Sequence, residues 1–194
     1  MILTFDSSAL RRGDILHVRS NGFWPAAIRK GLSVRLDVDD PPIWGNHDAL
    51  YLGDGDVGDC IPMTCRVTAL ADYERRANLA VSDPDHASVI VVRPTGSTVA
   101  QGARAATWWR ARVDGRLYDL TAYPLIIVRC LVGQHTSFRW IERIWFCTES
   151  CDGAWYEGAG LDVWRNRCPT PYTTEKRWRE GLLTDITREV MAVG

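Results

Sequence analysis

Hydrophobic and polar positions change period several times along the chain. "DILHVRS" (residues 14–20) alternates enough to predict a strand. "HDALYLG" (47–53), a Gly/Asp turn and "DGDVGDCIP" (54–62) predict two strands joined as a hairpin. "ASVIVVRP" (87–94) is a continuous apolar run stopped by proline, the pattern of a strand buried on both faces. These segments place the core sheet in the first half of the chain. After them the period lengthens. "TVAQGARAATWWRARV" (98–113) predicts a helix on which Ala103, Ala106 and Trp109 or Arg110 share faces, with Gly102 as a weak point. A second helix is expected from near Cys147 to Glu157, closed by Gly158 or Gly160, and a third from Thr173 or Thr174 to a stop at Gly181. The class is α+β. The breaks at "DVDDPPIWGN", "VSDPDH" and "RPTGS" are the expected flexible places.

Composition narrows the functional classes. The chain has 194 residues, 46% hydrophobic and 24% charged, which suits one globular domain spanning 1–194. A formal net charge of −1 gives no electrostatic ground for a nucleic-acid partner. No apolar run approaches the roughly 20 residues needed to span a bilayer. "MILTFDSSALRRGD" lacks the pattern of a signal peptide, so a cytoplasmic location is expected. Most of the six cysteines are then expected as thiols.

"WFCTESCDGAW" (145–155) concentrates the candidate chemistry. Cys147 and Cys151 share one helical face with Trp155, and packing is the default for Cys151 because free cysteine is among the most buried residue types. A zinc site is disfavoured, since neither Cys60/Cys65 nor Cys147/Cys151 has the close spacing of metal-binding cysteine pairs. For Cys147 two readings stand: packing, or a nucleophile whose thiolate is stabilised at a helix start. A nucleophile needs a histidine. His47 opens an apolar strand just after "WGN", whereas His17 lies within a strand, and His86 and His135 lie in polar connections. Asp59, on the strand paired with that of His47, is either a turn residue or the acceptor that orients the ring. Asp48, next to His47, points to the opposite face. Trp24 and Trp44 are candidates for a substrate groove or for core packing, and Glu149 suits the first turn of a helix.

The order of "RRGDIL", "NHDALYLGDG" with "VGDC", "RVTALADY", "VIVVRP", "GRLYDL" and "FCTES" resembles the circularly permuted papain-like amidases of the YiiX/YaeF type, in the NlpC-like superfamily of cysteine peptidases. The resemblance runs from Gly13 to about Gly160. It implies an antiparallel sheet packed against helices in a circularly permuted papain-like (NlpC-like) fold, with no cofactor. It implies a site made of Cys147 as nucleophile, His47 as base and Asp59 where the family often has glutamate. Gly13 and Asp14 become a turn that sets the first strand, and Tyr118 and Asp119 fix the approach to the cysteine helix. The implied activity is amide hydrolysis through a thioacyl intermediate, on a peptide or a peptidoglycan stem peptide. Alternatives are an acyltransferase or lipid amide or ester hydrolase on the same scaffold, and a binding module without chemistry. "FCTES" is unlike the "NCEHF" of the lecithin:retinol acyltransferase branch, which favours the peptide-type amidase. A phage-encoded source fits a cell-wall substrate.

Overall fold

A computed structural model describes residues 3–20, 26, 29, 44–79, 89–118, 144–165 and 169–193. Its centre is a six-stranded antiparallel sheet of β2 (Ile15–Val18), β3 (His47–Gly53), β4 (Asp56–Ile61), β5 (Thr64–Ala69), β6 (Val89–Pro94) and β9 (Leu183–Asp185), in the order β5-β4-β3-β2-β6-β9. Two small sheets flank it. β1 (Leu3–Phe5) pairs with β10 (Met191–Val193) antiparallel, and β7 (Leu117–Tyr118) pairs with β8 (Ile144–Trp145) in parallel.

Alternation along the central strands splits the core into two clusters. Ile15, Leu50, Leu52 and Val92 belong to one, and Leu16, Ala49, Tyr51 and Val91 to the other. Adjacent residues of one strand thus serve opposite faces, as a period of two requires. The first cluster is covered by helices α2 (Val99–Arg112) and α3 (Cys147–Gly153), α3 running on as a π-helical turn, Ala154–Gly158. The second packs under α1 (Leu70–Leu79), through Leu70 and Tyr73, and under α5 (Thr187–Val190). α4 (Pro171–Arg179) precedes β9.

Three expectations change. The sheet is not confined to the first half, because β9 adds an edge strand beside β6, with Val92 opposite Asp185. The buried stripe of α2 is Gly102, Ala105, Ala106 and Trp109: it keeps Ala106 and Trp109 of the expected face, adds Gly102 and Ala105, and leaves Ala103 half-buried. Arg110 instead points outward to Asp56 at 2.7 Å. Finally, Cys60 and Cys65 form a disulfide although most of the cysteines were expected as thiols, because the β4–β5 register sets them directly opposite one another.

Gly102 is what lets α2 close on the sheet. A Cβ there would lie 1.9 Å from the Arg12 carbonyl oxygen, so helix propensity is sacrificed to a backbone crossing. Thr98 and Gln101 compensate with a capping box: Gln101 N–H donates to Thr98 Oγ1 and Thr98 N–H to Gln101 Oε1. Gly102→Ala would gain about 1 kcal/mol in an isolated helix. Here it is expected to destabilise the protein by about 1–3 kcal/mol through overpacking against backbone. A thermal unfolding midpoint lower than that of the wild type is the expected result.

Candidate active site

α3 begins at Cys147, directly after the short parallel pair β7–β8, in which Tyr118 lies opposite Trp145. Tyr118 therefore sits at the approach to the cysteine helix, with its ring 6.0 Å from that of Phe146. Glu149 reaches back to the Phe146 N–H at 3.5 Å, and Ser150 Oγ donates to the Cys147 carbonyl. Further along, Trp155 Nε1 donates to the Gly13 carbonyl at 3.0 Å. Gly13 has φ +91, and a Cβ on it would meet the Trp155 ring at 2.7 Å. Asp14 is held by Arg93 and accepts the Arg11 N–H. The "RRGD" segment is thus a turn shaped to receive the cysteine helix.

His47 begins β3 and is laddered to β2, opposite Val18. The ladder between β3 and β4 starts only at Leu50, opposite Gly58. At the His47 end the strands are joined instead through side chains: His47 Nε2 and Asp59 Oδ1 are 2.7 Å apart. Cys147 lies close enough to the ring for its charge to act on it. The structure therefore gathers the three residues named from sequence. Cys147 and Asp59 are buried, while the His47 side chain is 15% exposed and forms the part of the site that reaches solvent.

Burial alone would lower the His47 pKa. The charges of Asp59 and Cys147, with the hydrogen bonds to both, outweigh it and hold the imidazole well above its ordinary 6.5. Cys151, one turn on, is buried, and that burial, with Asp48 and Cys147 adding to it, pushes its thiol well above the ordinary 9.0. This is the inert thiol of the pair. Among the described residues these two are the free cysteines; Cys130 and Cys168, like His86, His135, Trp24 and Asp119, lie outside them.

Behind the site lies a second polar group that sequence patterns did not reveal. His17 is fully buried, with Nδ1 2.7 Å from Asp48 Oδ1 and Nε2 3.3 Å from Glu175 Oε1. Asp48 Oδ2 accepts Thr148 Oγ1 at 2.6 Å and Thr174 Oγ1 at 2.9 Å. Glu175 Oε1 also accepts the N–H groups of Trp44 and Gly45. Gly45 is the residue that fits here, since a Cβ would lie 2.1 Å from His17 Nε2. Trp44 rests beside the His17 ring, with centroids 5.5 Å apart. Burial acts to lower the His17 pKa, yet the two carboxylates push it up to about 9. Asp48, despite a burial that would raise it, is held below its ordinary range by His17 and the two hydroxyls.

The chain is similar in structure to the metalloprotein YiiX of Escherichia coli O157:H7 (DUF1105). The TM-score is 0.52 at 16% sequence identity, over 95% of this chain and 88% of that one. The protein has a YiiX-like α+β fold. At this identity the likeness concerns the fold alone. No protein-family model matches the chain, and none of the curated proteins does. Among the described residues, no group of three or more His, Cys, Asp or Glu side chains is arranged to hold a metal ion, and no helix is long and apolar enough to cross a membrane.

Because His17 is charged in the fold and titrates about 6.5 when unfolded, its contribution to stability is complete below pH 6.5. It is lost as pH rises toward about 9. His47 adds a contribution of the same sign. Thermal midpoints are expected to fall across this window, by about 2–4 °C per kcal/mol lost. In His17→Gln the fall should be smaller, and an undiminished slope would assign it elsewhere.

Proposed function

We propose that the protein is a cysteine hydrolase that cleaves an amide bond through a thioacyl intermediate. The observation that carries this is the place of His47, with Asp59 2.7 Å from Nε2 and with Cys147, the first residue of a helix, near enough for its charge to act on the ring. A packed cysteine requires neither a histidine partner nor a carboxylate behind that histidine.

In the proposed reaction His47 takes the Cys147 proton, and the imidazolium, backed by Asp59, stabilises the thiolate. The sulfur attacks the substrate carbonyl carbon. The oxyanion that forms is held by backbone N–H groups at the start of α3, where the helix dipole is positive. His47 returns its proton to the departing amine nitrogen, the C–N bond breaks, and a thioester remains on Cys147. Water, losing a proton to His47, attacks the thioester; the acid leaves, and the sulfur recovers its proton from the ring. Two protons pass through the ring in turn: the thiol's leaves with the amine, and one from water returns to the sulfur.

The preference for a peptide-type amide, including a peptidoglycan stem peptide, over a lipid or ester substrate rests on the resemblance of "FCTES" to the permuted amidases. Asp59 is one carbon shorter than the glutamate frequent in that family, and the 2.7 Å contact supports an orienting role for it across this shorter reach.

Iodoacetamide labelling from about pH 5 to about pH 9, with the adduct located by mass spectrometry, tests the activated pair. Cys147 is expected to react preferentially at the acid end, and His47→Ala to abolish that preference. Asp59→Asn should slow the reaction by about 100-fold while leaving the thiol in place. Slow labelling that ignores both substitutions would leave a fold without working thiol chemistry.

A further inference from the structure

Asp48 stands apart from the proposed chemistry, yet it links the chain neighbours of both principal residues. It follows His47 on β3, and its Oδ2 accepts from Thr148, which follows Cys147 on α3. Neighbouring Cα atoms are about 3.8 Å apart, so a 2.6 Å hydrogen bond between the two neighbours limits how far strand and helix can separate. The carboxylate itself cannot swing. Oδ1 is held by His17, directly opposite in the β2–β3 register, and the far nitrogen of His17 meets Glu175 on α4. Thr174, also on α4, shares Oδ2. All five side chains are buried, which keeps water from competing for these bonds.

We propose that Asp48 is a positioning residue: through Thr148 it holds the first turn of α3 against β3 and so keeps the Cys147 sulfur beside His47. The proposal rests on the thiol chemistry above. Thr148 is the better position to alter, because Thr148→Val keeps the shape and removes the hydroxyl, whereas Asp48→Asn disturbs three partners at once.

The test measures the rate of iodoacetamide addition to Cys147 in the wild type, Thr148→Val and Thr148→Ser, together with thermal unfolding and a crystal structure of the valine variant. Thr148→Val should react roughly 10- to 100-fold more slowly, the cost of a small misplacement of a reacting group. Thr148→Ser, which keeps the donor, should recover most of the wild-type rate even if it unfolds at a lower temperature. A valine variant with the wild-type rate, or a serine variant as slow as valine, would overturn the positioning role. If wild-type Cys147 reacts no faster than Cys151, the thiol chemistry fails. The crystal structure then decides the clamp: a sulfur displaced from His47 supports it, and an unmoved sulfur overturns it.

Discussion

An ionised carboxylate in the core is the constraint around which this molecule is arranged. Asp48 is wholly buried, and such a charge is tolerated only when partners replace its lost hydration. Those partners come from β2, α3 and α4, three segments far apart in the chain. Satisfying one side chain therefore fixes a strand and two helices relative to β3. Removing His17, the charged partner, would leave the charge unpaired, a cost of about 3–5 kcal/mol in comparable buried pairs. Packing of Trp155 on Gly13 and of Trp109 on Gly58 then closes the helices on the sheet at distances that admit no side chain on either glycine.

The candidate site occupies the place where this arrangement opens. β3 and β4 are laddered from Leu50 onward, and at the unladdered end His47 and Asp59 meet through their side chains. The start of α3 brings Cys147 to the same ring. Two histidine–carboxylate pairs thus lie on adjacent positions of one strand with different surroundings. His17 is closed off between two carboxylates, whereas His47 is partly exposed and faces a thiol. The first has the character of a structural ion pair. The second has the partners that the proposed proton transfer requires.

Local pattern made the central part of this legible. The β3–β4 hairpin, with its Gly/Asp turn, puts His47 and Asp59 within reach, and the helix start at Cys147 follows from the apolar run before it. What escaped was non-local. Thr174 and Glu175 look like ordinary residues of a polar helix, and only the fold brings them to residues 17 and 48. β9, "LTD", is too short for any alternation to show, and its place beside β6 is a tertiary choice. The start of α4 was misplaced by a few residues because Thr170 caps the helix and Pro171 takes its first position, where a missing N–H costs nothing. On α2 the expected Ala106 and Trp109 are buried, and what local pattern did not show is that the missing side chain of Gly102 is what the crossing at Arg12 requires.

The central claim is that Cys147 is a nucleophile activated by His47, and acyl transfer to the sulfur tests it most directly. Intact-mass measurement after brief mixing with p-nitrophenyl acetate should find one acetyl group on Cys147, formed with a burst of nitrophenolate and then lost to water. His47→Ala should form little of it. Absence of any acetyl group on Cys147 in the native protein, with nitrophenolate released no faster than in buffer, would contradict the claim.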